Sequence, residues 1–235
     1  MAKTKQLKAV TNNKTVSDGK IISVGDPTCY VYFDTEFTGL RKQAELISIG
    51  LVDQKGRTFY AEFNDYDKSQ VDDWVQKNVV DKLINPTNVL EGDHWTFVGN
   101  RMEIRRQLMF WLDDFVKENK PVQFVSDVSH YDFVLLIDLI LGGNNSTAIE
   151  LPRWISPCCV DVNQDIATSI YRNPPEGKSL EEFNKNFIPA AEAFNISRGD
   201  MVAGIPEFSY TGEEHNSLYD ALVIRAIHRY LWDIK

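Results

Sequence analysis

Three short apolar runs stand close together near the start of the chain, at residues 29–34, 45–53 and 57–63. They are rich in β-branched and aromatic side chains, and turns that contain Gly39 and Gly56 separate them. This pattern predicts three strands. Connections of this length are too short for a parallel crossover, so the pattern favours an antiparallel meander.

Beyond the third run, apolar residues recur with a helical period. The strongest pattern covers residues 100–119 and predicts an amphipathic helix. Its apolar stripe consists of Ile104, Leu108, Trp111, Leu112 and Phe115. A shorter helix is predicted over residues 69–80, with Ser69 as its N-cap. Residues 85–99 contain Pro86 and Gly92 and are predicted to form a loop.

The second half of the chain alternates between the two patterns. Strands are predicted over residues 121–126 and 158–161, and each is followed by a helix, the first over residues 129–141. A Pro/Gly turn over residues 172–178, two short helices and a final helix over residues 214–234 complete the chain. This order of elements predicts an α/β fold, a mixed β-sheet flanked by helices.

The composition is that of an ordinary globular protein. Of the 235 residues, 43% are apolar and 25% are charged, which excludes collagen-like, disordered and disulfide-rich scaffolds. No linker or repeat divides the chain, so residues 21–235 are predicted to form a single domain. Residues 1–20 hold five lysines and no apolar core, and they are predicted to form a flexible, Lys-rich tail.

Charge and cysteine content restrict the partners and the compartment. The formal net charge of −9 argues against a protein that holds nucleic acid by a broad basic face. The three cysteines, with Cys158 and Cys159 adjacent, do not suggest a disulfide framework. The chain starts with no secretory signal, and its most apolar stretch, residues 133–141, is too short to cross a bilayer. We therefore expect a cytoplasmic protein with no membrane partner.

Several acids stand where a core is expected. Asp34 and Glu36 end the first strand, and residues two apart on a strand share a face, so their charges lie side by side. Asp220 falls on the apolar stripe of the last helix, four residues before Ile224. Asp132 opens a helix that is apolar almost all round. Each has an ordinary explanation when taken alone, such as a solvated strand end or an acid that favours the helix dipole.

A histidine completes the set. His215 lies five residues before Asp220, and taken alone it would be an exposed residue at the start of a helix. Together, four carboxylates from three elements and this histidine can converge at one end of a sheet. Carboxylate oxygens are the ligands that hard divalent cations prefer. The pattern therefore predicts a site for two such ions.

These residues resemble a known family. Residues 34–40 (Asp-Thr-Glu-Phe-Thr-Gly-Leu), 131–133 (Tyr-Asp-Phe) and 215–220 (His-Asn-Ser-Leu-Tyr-Asp) are similar to the three motifs of the DnaQ-like 3′-5′ exonucleases. The histidine spacing matches the subgroup named DEDDh for its four acids and histidine. Residues 34–84 are most similar to the compact 3′-5′ exoribonucleases of bacteria and their phages. The resemblance extends over about residues 28–235.

The resemblance implies a ribonuclease-H-like fold and two Mg²⁺ or Mn²⁺ ions. By that family's arrangement, Asp34 bridges both ions, Glu36 and Asp220 complete one site, and Asp132 completes the other. His215 is then the general base, because a neutral imidazole with a pKa of about 6.5 can accept a proton at neutral pH.

The resemblance also assigns substrate-binding positions. In the family, backbone groups after the Glu of the first motif bind the terminal nucleotide, and a Leu wedges the last base. Phe37, Thr38 and Leu40 occupy those positions, and Phe37 departs from the Thr that is frequent there. In the second motif, Asp127 stands near a position where many family members have Asn. It is either a group that supports the metal ligands from behind without binding an ion, or a cap of the turn at the strand end. His130 fits a phosphate contact or a surface role equally well.

The tryptophans divide into two groups. Helical spacing predicts that Trp74, Trp111 and Trp232 are core residues. Trp95 and Trp154 stand in loop-like contexts and are candidates for a rim that stacks on nucleotide bases.

The leading hypothesis is a metal-dependent 3′-5′ exonuclease that releases nucleoside 5′-monophosphates from the 3′ ends of short or single-stranded nucleic acid. RNA is favoured over DNA as its partner. Two alternatives stay open: a phosphodiesterase for dinucleotides and small oligonucleotides, and a non-catalytic nucleic-acid-binding module. Because the chain is acidic overall, the leading hypothesis expects the phosphate groups to be attracted locally by the metal ions. The Lys-rich tail would be a weak tether for the nucleic acid. Related compact members favour a homodimer.

Overall fold

The computed structural model describes residues 14–17, 20–23, 29–117, 121–143, 147–172 and 195–232. The strands are β1 (Lys14–Ser17), β2 (Lys20–Ser23), β3 (Cys29–Phe37), β4 (Leu46–Asp53), β5 (Thr58–Phe63), β6 (Val89–Glu91), β7 (His94–Gly99), β8 (Val122–Ser126) and β9 (Val160–Asp161). The α-helices are α1 (Asp73–Asn78), α2 (Arg101–Lys117), α3 (His130–Leu141), α4 (Val162–Arg172), α5 (Arg198–Ala203) and α6 (Ser217–Trp232).

One mixed sheet contains seven of the described strands, in the order β6-β7-β5-β4-β3-β8-β9. The pairs β3–β4 and β4–β5 are antiparallel and form the predicted meander. The pairs β3–β8, β8–β9 and β5–β7 are parallel. The predicted architecture, a mixed sheet with a three-strand antiparallel meander and parallel strands flanked by helices, is confirmed. It is the arrangement that the resemblance implies.

Helices cover both faces of the sheet, and β3 shows how the two layers divide. Side chains of a strand alternate between faces. Val31 and Phe33 enter a core with residues of α2 and α3, whereas Tyr32 enters a second core with residues of α4 and α6. All three are fully buried, as expected for a strand covered on both sides. Asp34 and Glu36 continue the Tyr32 side of the strand, so they face α6.

The predicted amphipathic helix is confirmed as α2, and every residue of its predicted apolar stripe is buried. The strand predicted over residues 121–126 and the helix predicted over residues 129–141 follow α2 and correspond to β8 and α3 within one residue at each end. The last helix is shorter than predicted and runs over Ser217–Trp232. The final strand of the sheet is also shorter, and it is confirmed only for Val160–Asp161.

The predicted loop over residues 85–99 is wrong, since this segment forms β6 and β7 around a turn at Gly92. Pro86 and Gly92 suggested a break, but β7 pairs with β5 along its full length. Trp95 and Phe97 lie on the same face of β7 and pack against the core beneath α2. Tertiary pairing therefore outweighs the turn-forming residues at both ends of the segment.

The predicted N-cap at Ser69 is also wrong. Ser69 lies inside a separate 3₁₀ turn (Lys68–Gln70) and donates its own N–H to Asp67 Oδ1 at 2.9 Å. The α-helix begins after Asp72, whose carboxylate accepts the N–H of Val75 at 2.8 Å. Two aspartate caps therefore divide the predicted helix into two short pieces.

The ends of the predicted domain are described in part. β1 and β2 pair antiparallel as a two-stranded ladder, and residues 1–13, 18 and 19 lie outside the described residues. The flexible tail over residues 1–20 and the single domain over 21–235 stay predictions. The predicted turn over 172–178 and the first of the two short helices also fall outside the described residues beyond Arg172. No helix within the described ranges has the length and apolar character needed to span a bilayer.

Candidate active site

Three of the predicted metal ligands meet where β3 ends. Asp34 and Glu36 come from one face of β3, and Asp220 comes from the first turn of α6. Carboxylate oxygens of the three side chains lie within 4.8 Å of one another. The strand period places the first two together, and the start of α6 brings the third onto the same face.

A glycine in β4 allows α6 to approach this closely. Gly50 pairs with Asp34 across the β3–β4 ladder, and a Cβ atom at Gly50 would lie 2.4 Å from main-chain atoms at the start of α6. Two register positions along, where Ser48 pairs with Glu36, Ser48 Oγ and Ser217 Oγ are hydrogen-bonded at 3.0 Å. The helix therefore rests on bare strand backbone beside the acids, which is the close approach that an interior strand glycine permits.

The fourth acid, Asp132, approaches from the opposite helical layer, in the first turn of α3. Its Oδ1 accepts the N–H of Thr35 at 3.0 Å and the hydroxyl of Thr35 at 2.6 Å. The turn before α3 is held by Asp161, which accepts the N–H groups of Val128 and Ser129 at 3.1 and 3.3 Å. Val128 has a φ of 50°, a strained conformation for a β-branched residue that is characteristic of functional sites.

Burial and mutual repulsion dominate the electrostatics of the four acids. Burial raises the pKa of Glu36 to about 8, of Asp220 to about 7 and of Asp132 to about 6. The pKa of Asp34 is raised well above its ordinary value by burial and then by the charges of the neighbouring acids. Like charges this close cannot all remain ionised in an apolar site without a compensating cation.

The donor set fits divalent metal ions. No lysine or arginine of the described residues forms an ion pair with Asp34, Glu36, Asp132 or Asp220. Lys82 lowers the pKa of Glu36 and Asp220 by its charge without contacting either side chain closely. Oxygen ligands that lack cation partners suit Mg²⁺ or Mn²⁺.

His215 lies at the edge of the acid cluster in a restrained conformation. Its φ of 68° places a non-glycine residue in the left-handed region, and its N–H donates to Asp220 Oδ2 at 2.8 Å. The ring Nδ1 lies 3.9 Å from Glu36 Oε1. Trp74 packs against the ring in a T-shaped arrangement with 5.1 Å between centroids. Burial lowers the pKa of His215, while the charge of Glu214 opposes this shift and the charge of Lys82 adds to it, so the site favours the neutral imidazole.

A groove of about 1070 Å³ opens over these residues, and all five predicted catalytic residues line it. Two of the predicted substrate-binding residues line it as well. Phe37 stacks on Tyr131, with 5.7 Å between the ring centroids and 23° between the planes. Leu40 is 78% exposed, which leaves its side chain available to a bound molecule.

Thr38, the third predicted substrate-binding residue, is fully buried and does not line the groove, and its substrate contact stays a prediction. Its hydroxyl donates to Gln70 Oε1 at 2.9 Å and accepts the N–H of Glu45 at 3.0 Å. Its own N–H donates to the Glu45 carbonyl at 3.0 Å. Thr38 therefore fastens the loop that presents Phe37 and Leu40 to the groove.

Asp127 belongs to an ion pair in the wall of the groove. Arg198 Nε and Nη2 donate to the two oxygens of its carboxylate at 2.5 and 3.1 Å. Arg198 also donates to Asn163 Oδ1 at 2.9 Å and to the Ile196 carbonyl at 2.8 Å. Asp127 therefore pairs with Arg198, and its two predicted roles, a group behind the metal ligands or a strand-end cap, stay predictions. This pair ties the first residue of α5 to the end of β8. His130 is exposed and does not line the groove.

The tryptophan predictions are largely wrong. Trp111 is buried as predicted, but Trp74 is 56% exposed and Trp232 is 50% exposed. Trp95 and Trp154 pack against the core beneath α2 and α3 instead of lining the groove. Trp74 lies in the short helix α1 and lines the groove instead of packing on the sheet.

Three residues of the site were missed by sequence reasoning: Gly50, Trp74 and Arg198. A glycine inside an apolar strand often marks a close backbone approach, so the signal for Gly50 was present. Trp74 and Arg198 act through partners more than 70 residues away in sequence, and no local pattern reveals such pairs.

The chain is similar in sequence to known 3′-5′ exoribonucleases. Over 125 residues, the chain is 31% identical to the 3′-5′ exoribonuclease Rv2179c of Mycobacterium tuberculosis strain H37Rv, covering 52% of this chain and 67% of the relative. The same figures hold for the 3′-5′ exoribonuclease MT2234.1 of strain CDC 1551. The Neurospora crassa Pan2 catalytic unit (protease and nuclease domain) superposes with a TM-score of 0.43 at 14% identity, over 96% of this chain and 30% of that chain. No family model matches the chain.

Proposed function

Because the chain belongs to the family of 3′-5′ exoribonucleases, which are hydrolases, we propose that it removes nucleotides from the 3′ end of RNA as nucleoside 5′-monophosphates. The observation that carries this proposal is the cluster of Asp34, Glu36 and Asp220, whose oxygens lie within 4.8 Å of one another in an open groove. Buried acids without a cation partner are costly to the fold, and perturbed acids in a cleft are typical of functional sites.

The acids would hold two Mg²⁺ or Mn²⁺ ions, one between Asp34, Glu36 and Asp220 and one between Asp34 and Asp132. When bound, the ions supply positive charge that lowers the pKa of the attacking water and stabilises the leaving oxygen. The hydrogen bonds from Thr35 fix the Asp132 carboxylate, so its second oxygen is left to face the groove. The N–H of His215 orients Asp220 in the same way.

His215 is the proposed general base. Its lowered pKa keeps the ring neutral at pH 7, so a ring nitrogen can accept the proton of the attacking water. The imidazolium that forms would be stabilised by Glu36, whose Oε1 lies 3.9 Å from Nδ1. The hydrogen bond from the backbone N–H of His215 to Asp220 fixes its main chain, and the ring contact with Trp74 restricts the positions that the imidazole can take.

Phe37 and Leu40 are proposed to receive the terminal nucleotide. Both line the groove next to the acids, and apolar side chains there can contact a sugar and a base without competing for the metal ions. The net charge of −9 disfavours broad contact with a duplex. A single-stranded or frayed 3′ end that reaches the acids is therefore the proposed substrate.

The decisive experiment is digestion of a 5′-labelled, twenty-nucleotide single-stranded RNA in Mg²⁺. We expect a ladder that shortens from the 3′ end, and loss of the ladder in EDTA that is restored by added Mg²⁺ or Mn²⁺. Intact RNA with a folded, Mg²⁺-loaded protein would overturn the proposal and favour a non-catalytic binding module. The same sequence in DNA measures the sugar preference, which we expect to favour RNA.

A two-nucleotide RNA separates the exonuclease from a small-oligonucleotide phosphodiesterase. We expect turnover of both lengths, with a specificity constant for the twenty-nucleotide substrate at least equal to that for the dinucleotide. Hydrolysis of the dinucleotide alone would replace the proposal with the phosphodiesterase. We further propose that the protein is cytoplasmic, as its cysteine usage suggests. We also propose that it forms a homodimer, as the family resemblance implies, and sedimentation of the purified protein tests this assembly.

A further inference from the structure

The turn that carries His215 has a strained backbone. Residues 213–216 form it, and the N–H of Asn216 donates to the Glu213 carbonyl at 3.2 Å. His215 has a φ of 68° in this turn, a left-handed conformation that costs free energy for any residue other than glycine. Such a conformation persists only where the surrounding structure holds it. Contacts from outside the turn must therefore fix the ring of the proposed general base.

Lys82 supplies such a contact from 132 residues away in the sequence. Its Nζ donates to the Glu214 carbonyl at 3.0 Å and lies 3.9 Å from Glu213 Oε2. The Glu214 carbonyl belongs to the peptide unit whose N–H is that of His215, and this N–H donates to Asp220 Oδ2 at 2.8 Å. Both polar groups of the peptide unit before the imidazole are therefore held, one by Lys82 and one by Asp220.

The backbone that presents Lys82 is itself fixed on both sides. Lys82 ends the 3₁₀ turn Val80–Lys82, which follows Val79, a residue of a small buried core. Three residues after Lys82, the N–H of Asn85 donates at 3.0 Å to Oε1 of Glu62, a side chain that is 3% exposed on β5. A functional group is held most precisely when its supporting residues are themselves fixed by packing and hydrogen bonds. Lys82 meets this condition.

The position of Lys82 does not suit a ligand for metal or substrate. It does not line the groove, so it is no substrate contact. Its charge lowers the pKa of Glu36 and of Asp220, and a cation near these acids opposes the approach of metal ions. The hydrogen bond to the turn is therefore the contact that explains its place beside the site.

We propose that Lys82 is a positioning residue of the reaction, which holds the Glu214–His215 peptide unit in place and thereby keeps the His215 ring beside Glu36. This inference rests on the proposed function and adds to it a residue outside the three motifs. Misplacement of a catalytic group by about 1 Å can cost about 100-fold in rate. Loss of Lys82 should therefore slow the reaction although no group that touches the substrate is removed.

The test places Lys82→Met and Lys82→Arg in the wild-type and in the His215→Ala protein. On the twenty-nucleotide RNA in saturating Mg²⁺, we expect Lys82→Met to lower the turnover number about 10- to 100-fold with KM unchanged. Lys82→Arg, which keeps a charged donor, should recover most of the loss. In His215→Ala, the further loss from Lys82→Met should stay below about twofold, because no imidazole is left to position. An equal fall in both backgrounds, or no fall in either, would overturn the proposal.

Lys77→Met is the matched control, since Lys77 is an exposed lysine on α1 that does not line the groove. It removes one positive charge from the same part of the chain and should keep the wild-type turnover number. A fall equal to that of Lys82→Met would assign the effect to charge alone and overturn the positioning role. Mg²⁺ should raise the unfolding temperature of Lys82→Met by at least the wild-type amount, and a lost Mg²⁺ response would overturn it as well.

Hydrogen exchange over residues 213–216 reports on the turn without any RNA. We expect faster exchange in Lys82→Met and wild-type exchange in Lys82→Arg and Lys77→Met, because protection follows local order. Wild-type exchange in Lys82→Met would overturn the proposal and leave the proposed function standing. A wild type that shortens no RNA would overturn the proposed function, and the exchange rates alone would then decide whether Lys82 holds the turn.

Discussion

The two ends of the β3–β4 ladder bury acids in opposite ways. At the end where β4 finishes, Asp53 is 1% exposed and accepts the Arg57 backbone N–H at 2.9 Å and Nε at 2.8 Å. Arg57 Nη1 also donates to Asp114 at 2.7 Å. The guanidinium lies 5.1 and 5.0 Å from the rings of Trp111 and Phe115. Each charge there has an opposite charge in contact.

At the end where β3 finishes, Asp34, Glu36 and Asp220 are drawn together with no described Lys or Arg in contact. Burial raises the pKa of all three, and the charges of neighbouring acids raise it further, so this end opposes folding whenever the acids are ionised. Burial of a charge alone therefore does not identify function. Function is indicated when buried charges have no compensating cation in the chain, so that the cation must come from outside.

The largest predicted effect is that of Asp34→Asn. Activity on RNA should fall by at least about 10⁴-fold, because the acid shared by both ion sites is lost. Without metal, the free energy of unfolding of the variant should be about 1–2 kcal/mol higher than that of the wild type, because one of the repelling buried charges is removed. Denaturant unfolding with and without Mg²⁺ checks the second part. Full activity, or a destabilised metal-free variant, would contradict the assignment.

His215→Ala should reduce the rate of hydrolysis by about 10²- to 10⁴-fold, the usual contribution of a general base. Because the four carboxylates remain, Mg²⁺ should still raise the unfolding temperature by the wild-type amount. Thermal unfolding over a Mg²⁺ titration, run beside the RNA assay, checks both statements. Loss of the Mg²⁺ response would show that the histidine acts as a metal ligand.

Arg57→Ala should act on stability alone. It leaves Asp53 buried without its cation, so we expect about 2–3 kcal/mol of lost unfolding free energy, less than for a fully buried pair because Arg57 is 20% exposed. The turnover number on RNA should stay within about twofold of the wild type. Urea unfolding and the RNA assay measure the two quantities. A large fall in turnover with little change in stability would reverse the contrast between the two ends.

Asp127→Asn is predicted to have the smallest effect and places an intermediate case between the two ends. Asp127 lies in the groove, but Arg198 compensates it with two hydrogen bonds. Like Asp53, it should contribute to stability, with about 1 kcal/mol lost on substitution, and turnover should fall less than about tenfold. A fall comparable with that of Asp34→Asn would make it a fifth catalytic acid.

The acids could be predicted from the sequence because each interrupts a local pattern. Asp220 stands on an apolar helical stripe and Asp34 ends an apolar strand, so their chemistry is visible in the periodicity itself. The strands β3, β4 and β5 follow from the same signal. The β6–β7 hairpin could not be predicted, because it is stabilised by pairing with β5, a contact that exists only in the folded chain.

The supporting residues were hidden for the same physical reason. The exposure of Trp74 depends on where the short helix α1 lies relative to His215, which no spacing encodes. Thr38 is a similar case. It occupies a position that the family uses for substrate, and its hydrogen bonds to Gln70 and Glu45, which no local pattern reveals, place it inside the protein.

The bare backbone at Gly50 has a consequence for how the enzyme can change over evolution. At this position the backbones of β4 and α6 meet, since a Cβ atom at Gly50 would stand 2.4 Å from main-chain atoms of α6, so the separation of β4 from α6 is limited by main-chain contact. Main-chain contact has one geometry, whereas packed side chains have several. Substitutions elsewhere in the two cores can accumulate and alter stability while the distance between Asp34 and Asp220 stays the same. Because of Gly50, the fold can tolerate substitutions in its cores that leave the positions of the catalytic acids unchanged.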